Sequence, residues 1–313
     1  MNYIKTVSLL VLLFSTGFSY GRADLYSKSF GDPSNPCIIF LHGGPGYNCA
    51  SFEFTTAEKL AEKGFYVIVY DRRGEGRSAD PKAKFNFKES FKDIQSLYKQ
   101  YDIDKSTLVG HSFGGLLATK FALKNPDLVK SVILVSSPIC FQQSFKTIID
   151  SSKQIYTKSN DKTNLKYISM LEQMDSTSLD YAVYCFAHAM QNGFYTTSSP
   201  TEEAKAIYEF IRSDSTAKKF ASEMTQAATA GFWKNESYTT IDIRSDLKEL
   251  IQNGIPVYGF YGMEDGLFST AQIKELGNII GTSHLNYLEN CSHSVFIDKQ
   301  EKFLESLLNL CKK

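Results

Sequence analysis

Ser112 stands between glycines in the run Gly110-His111-Ser112-Phe113-Gly114-Gly115, after a short β-prone stretch at 106–109 and before apolar residues at helical spacing over 116–124. This G-x-S-x-G spacing forms a nucleophile elbow, a sharp strand-to-helix turn that strains the serine backbone and lifts the hydroxyl off the sheet. Glycine is needed at 110 and 114 because a Cβ in so tight a turn would strike the neighbouring strand and helix. A serine hydroxyl is a weak nucleophile at neutral pH, so acyl transfer requires a base within hydrogen-bonding reach and a third group to orient that base. With the chain order serine, acid, histidine, the partners fall on Asp265, just after a strand ending Tyr261-Gly262, and His293, after a strand ending Leu288-Glu289. Glu264 is the rival to Asp265. The other four histidines have better placements: His42 and His111 in tight loops beside strands, His188 in a polar helical region, and His284 at the start of a strand.

The same chemistry needs donors for a tetrahedral oxyanion. The amide of Phe113, next to the nucleophile, supplies one. His42-Gly43-Gly44-Pro45-Gly46 follows an apolar strand at 37–41, and its glycines allow close backbone approach, which assigns the second donor to the amide of Gly44. A further run, Asp71-Arg72-Arg73-Gly74-Glu75-Gly76-Arg77-Ser78, combines charges and glycines after another strand and is read as a brace for these loops.

Positioning such groups requires strand ends lying side by side. Strands are expected at 25–30, 37–41, 65–70, 106–109, 129–135, 255–261 and 284–288, with helices at 51–63, 85–101, 116–124, 271–279 and 299–310. Strands that are apolar on both faces and alternate with helices imply a mostly parallel sheet covered on both sides. Between 140 and 246 the chain turns polar and helix-prone without a convincing strand, which reads as an inserted helical cap on a core formed by 22–139 and 247–313.

Composition excludes some partners. The 34 basic and 34 acidic residues cancel, and no basic run is interleaved with aromatics, so no nucleic-acid surface is expected. Lys5 followed by the apolar run 7–14 and the small residues Ser19 and Gly21 reads as a signal peptide spanning 1–21. The apolar run is too short to span a bilayer of about 30 Å, so export to the periplasm or medium is expected, with no stable membrane anchor after removal of the leader. Export would allow the six cysteines to pair; the other outcome is free thiols buried in a large core. No Cys/His cluster has metal-ligand spacing, and no cofactor or metal is expected.

Together HGGPG at 42–46, DRRGEGRS at 71–78, GHSFGG at 110–115, Asp265 and His293 resemble the α/β-hydrolase superfamily, and the first two motifs resemble proline iminopeptidases. The resemblance implies an α/β-hydrolase fold and a metal-free aminopeptidase that releases N-terminal residues from small peptides, with a carboxylesterase or lactonase acting on small esters as the alternative. Three features depart from that family. Phe113 and His111 flank the nucleophile where tryptophan and a small residue are usual. Met190-Gln191-Asn192-Gly193-Phe194-Tyr195 resembles a cap motif that carries an amine-binding glutamate, yet has Gln191 at that place, leaving Glu202, Glu203, Glu209, Glu223 and Glu236 as substitutes. Because the mature chain is expected to start close to Cys37, at least one early strand of the usual sheet is expected to be absent.

Overall fold

Runs such as Tyr66-Val67-Ile68-Val69-Tyr70 are β-branched and aromatic throughout, and in the computed structural model, which describes residues 24–311, they form a seven-stranded sheet. The leader expected over 1–21 lies outside the described residues. The strands are β1 (Ser27–Phe30), β2 (Cys37–Leu41), β3 (Tyr66–Tyr70), β4 (Ser106–His111), β5 (Val129–Val135), β6 (Val257–Gly262) and β7 (Leu285–Leu288), arranged in the order β1-β3-β2-β4-β5-β6-β7. Every pairing is parallel except that of β1, which runs antiparallel along β3 at the edge.

Alternation along the central strands feeds two cores. Ile39, Leu41, Ile68, Tyr70 and Leu108 face one side, against Leu97, Leu116 and Phe121 of the helices Phe87–Gln100 and Phe113–Lys124. Ile38, Phe40, Val67, Val69 and Val109 face the other, against Leu60 and against Phe303, Leu304 and Leu307 of the helix Gln300–Cys311. A strand buried on both faces has no room for a polar alternation, which is why these strands read as unbroken apolar runs.

The structure departs from the expected elements in definite places. The helix expected at 51–63 is broken by a π-helical turn, Glu53–Ala57, which turns Glu53 inward to meet Arg77. His284 lies in a 3-10 turn, Thr282–His284, before β7 and does not begin the strand. The closing helix is preceded by a separate turn, Val295–Asp298, directly after His293 and Ser294. The inserted segment leaves and rejoins the core at one neck, where Cys140 bridges Asp242 and the Ile243 amide donates to the Ile139 carbonyl at 2.8 Å. The boundary at 246 falls inside the helix Arg244–Gln252, which packs on Phe113–Lys124 and is tied to it by Lys120–Asp246 at 3.0 Å, so that helix belongs with the core. Beyond the neck the segment is helical, comprising Phe141–Lys158, Lys162–Leu171, Leu179–Gln191, Glu202–Ser213, Ser215–Ala221 and Gln226–Glu236. The five cysteines whose side chains are described are free, and all but Cys37 are buried.

Candidate active site

At the carboxyl end of β4, Ser112 adopts φ 51° and ψ −121°, a conformation that L residues avoid and that costs on the order of 1–3 kcal/mol. The surrounding structure holds it there: its amide donates to the Val135 carbonyl at 2.9 Å, and its carbonyl accepts from the Gly115 amide at 3.0 Å. The flanking glycines supply room. A Cβ on Gly110 would lie 2.4 Å from the Gly115 Cα, and one on Gly114 would lie 2.0 Å from the Leu41 carbonyl oxygen. Because that obstacle is backbone, Gly114→Ala is expected to destabilise the protein by about 3 kcal/mol or more, measured by chemical denaturation.

His293 and Asp265 arrive from the loops after β7 and β6. The imidazole Nδ1 donates to Asp265 Oδ2 at 2.8 Å, and Asp265 Oδ1 accepts from the Leu267 amide at 3.1 Å. Both residues are buried. An Nδ1–H bound to a carboxylate leaves Nε2 unprotonated as the acceptor, the tautomer that a general base needs. Ser112 Oγ and His293 are not hydrogen-bonded in this structure; such bonds commonly tighten only when substrate is bound. Glu264 turns away from the histidine, accepting from Ser198 N at 2.6 Å and from Thr197 Oγ1 at 3.1 Å.

The remaining histidines are occupied. His42 donates from Nδ1 to the Gly43 carbonyl at 2.8 Å and accepts the Arg72 amide at Nε2, and burial holds it well below its ordinary pKa. His188 bonds Tyr156 inside the inserted segment, and the His284 ring lies 4.6 Å from that of Tyr258. His111 sits beside His293, ring centroids 4.9 Å apart, and donates from Nε2 to the His293 carbonyl at 3.1 Å. Burial, together with the neighbouring imidazole, pushes His111 down to about 3, so it is neutral at working pH.

The loop after β2 lies against the elbow, since a Cβ on Gly43 would come within 3.2 Å of the Ser112 Cβ. Gly44 has φ +122°, and neither its amide nor that of Phe113 has a protein acceptor among the described residues. Phe113 opens a helix, so its amide is one of the orphan donors of a helix N-terminus. The Phe113 amide adjoins Ser112 and the Gly44 amide follows Gly43, which lies against it, and free amides of this kind can donate to a developing oxyanion.

The charged run after β3 braces this loop. Arg72 is fully buried, bonds Glu75 through Nε at 3.0 Å and Nη2 at 2.9 Å, and donates to the carbonyls of His42 and Gly43. Glu75 Oε2 in turn accepts from the Gly46 amide at 2.7 Å. Arg73 pairs with Asp80 and Asp93, and Arg77 with Asp71 and Glu53.

A model of the alpha/beta hydrolase fold matches residues 36–300. The chain belongs to this family. Its curated relatives include a proline iminopeptidase of Saccharolobus solfataricus, 27% identical over a 309-residue alignment covering 92% of each chain. They also include a pimeloyl-[acyl-carrier protein] methyl ester esterase of Aliivibrio fischeri, 25% identical, covering 90% of this chain and 95% of the relative. Among solved structures, a proline iminopeptidase-related protein from Thermus thermophilus aligns with a TM-score of 0.64 at 20% identity, covering 92% of this chain and 93% of its own. This α/β hydrolase is therefore similar to both proline iminopeptidases and an esterase, and the expected amine anchors lie in the inserted segment.

There the candidate amine anchors are engaged elsewhere. Glu202 pairs with Lys205, Glu203 with Lys59 and Glu209 with Arg212, all at the surface, while Glu236 accepts the Phe87 amide at 2.7 Å. Gln191 is exposed. Glu223 is exposed and its carboxylate has no partner among the described residues. What surrounds His293 is aromatic: the Tyr195 ring stands edge-on at 5.0 Å, and the Phe268 ring lies at 6.4 Å. Motif reading missed Tyr195, Ser292 and Asp298. The signal for Asp298 was present as a lone acid ending the apolar run Val295-Phe296-Ile297.

Proposed function

We propose that this α/β hydrolase is a serine carboxylesterase acting on small uncharged esters. Ser112 Oγ attacks the ester carbonyl carbon while His293 Nε2, oriented by Asp265, takes its proton. The oxyanion rests on the amides of Phe113 and Gly44. Collapse breaks the carbon–oxygen bond to the alcohol, which leaves with the proton from His293. Water, deprotonated by His293, then attacks the acyl-serine and releases the acid. The observation that supports the ester reading is that four of the five candidate glutamates, Glu202, Glu203, Glu209 and Glu236, are engaged by other groups, and the fifth, Glu223, is exposed. A substrate ammonium would lack the charge-assisted partner that an aminopeptidase needs, whereas an ester asks only for the apolar walls at Tyr195 and Phe268.

An aminopeptidase is the second reading, favoured by HGGPG and DRRGEGRS and by the Saccharolobus relative. Its anchor would be Glu223, two residues before Thr225, whose amide bonds the Gly46 carbonyl at 2.7 Å. The purified protein is expected to turn over short acyl esters about 10- to 150-fold faster, in kcat/KM, than proline or alanine arylamides, because losing charge-assisted hydrogen bonds to the amine costs about 1.5–3 kcal/mol. Arylamide turnover that matched ester turnover and fell in Glu223→Gln would overturn the ester assignment in favour of the peptidase.

A further inference from the structure

The inserted segment is bonded directly into the two loops that carry Asp265 and His293. On the acid side, the Phe194 carbonyl accepts from the Gly266 amide at 3.0 Å, and Glu264 accepts from Thr197 and Ser198. On the histidine side, Asp298 gathers three donors: Ser292 N at 2.7 Å and Ser292 Oγ at 2.6 Å on Oδ2, and the Tyr208 hydroxyl at 2.7 Å on Oδ1. Tyr208 belongs to Glu202–Ser213 of the inserted segment, which packs on the turn Val295–Asp298. The Ser292 hydroxyl also lies 2.9 Å from the Tyr195 carbonyl, and the Tyr195 ring closes over His293.

Asp298 is fully buried and forms no ion pair among the described residues. A buried carboxylate held only by neutral donors carries a desolvation cost that a neutral side chain would avoid. A carboxylate can accept from the Ser292 amide and from both hydroxyls at once, whereas an amide at 298 would need the Tyr208 or Ser292 hydroxyl to turn round and accept its N–H. The outcome is positional. Ser292 precedes His293, so Asp298 fixes the backbone entering the histidine, while His111 Nε2 holds the carbonyl leaving it at 3.1 Å.

Resting on the catalytic roles proposed above for His293 and Asp265, we propose that Asp298 and Tyr208 are positioning residues, through which seating of the inserted segment sets the geometry of the His293–Asp265 pair. Tyr208→Phe removes one hydroxyl and leaves the ring, so it is the variant expected to fold; Asp298→Asn is the stronger companion. Both are expected to lower kcat roughly tenfold to a hundredfold with KM little changed, as misplacement of a catalytic group does. Both should shift the acid limb of the kcat/KM profile and broaden the downfield proton resonance of His293 Nδ1–H. Lys205→Ala, a change at an exposed position of the same helix, should leave all three as in the wild type. The proposal is overturned if Tyr208→Phe and Asp298→Asn keep the wild-type acid limb and downfield proton, whatever their melting temperatures do. Recording the proton resonance in a Ser112→Ala background keeps the two ideas apart: activity surviving in Ser112→Ala removes the catalytic assignment, while the resonance still reports whether Asp298 and Tyr208 hold the pair.

Discussion

Ser112→Ala is expected to lower kcat/KM for a short acyl ester by about 10⁴- to 10⁶-fold while changing unfolding free energy by less than about 0.5 kcal/mol. The size of the loss follows from the division of labour at the site. Without the hydroxyl no acyl-serine forms, and the remaining rate is what the free Phe113 and Gly44 amides can give to direct attack by water. The small effect on stability follows from geometry. The Ser112 hydroxyl makes no hydrogen bond among the described residues, and alanine inherits the same φ of 51° and ψ of −121°. Ser112→Gly tests the strain itself. Glycine accepts this conformation freely, so it should be more stable than Ser112→Ala by about 1 kcal/mol, the net of relieved strain and added chain entropy. Ester turnover in Ser112→Ala close to the wild-type rate would remove the serine from the mechanism. A glycine variant less stable than the alanine variant would remove the argument from strain.

The placement of Ser112, Asp265 and His293 after strands is legible in the sequence, because strands buried on both faces announce themselves as apolar runs. Asp265 and Glu264 are adjacent, and only the direction each carboxylate takes, one toward His293 and the other toward Ser198, separates them. That direction depends on loop geometry, which periodicity does not encode. The helix Arg244–Gln252 straddles the expected boundary at 246, because a surface helix reads alike whether it covers a core or a cap; in the structure it packs on Phe113–Lys124. The links from Tyr208 to Asp298 and from Ser292 to Tyr195 join residues 90 and 97 positions apart in the chain. No local pattern marks a hydroxyl whose partner lies that far away.

Arg72→Met is expected to destabilise the protein by about 3–5 kcal/mol and to lower kcat for the same ester by about 100-fold. The stability loss has a specific origin. Arg72 and Glu75 are both buried, and removing the guanidinium leaves a carboxylate with only the Gly46 amide as partner, in a place where burial already raises its pKa despite the arginine. The sign of the pH dependence follows. A carboxyl group whose folded pKa lies above its unfolded value disfavours the folded state once pH exceeds the unfolded value, so the deficit of Arg72→Met should narrow as pH falls from about 7 toward about 5. Glu75→Gln added to Arg72→Met should recover part of the loss, because it removes the orphaned charge. The activity loss has a separate cause. Arg72 holds the carbonyls of His42 and Gly43, and Glu75 holds the Gly46 amide, so the pair grips both sides of Gly44. The double variant regains fold stability but not that grip, so its kcat should stay low. Recovery of kcat together with stability would show that the Gly44 loop keeps its place without Arg72, and the oxyanion role of the Gly44 amide would then owe nothing to the brace.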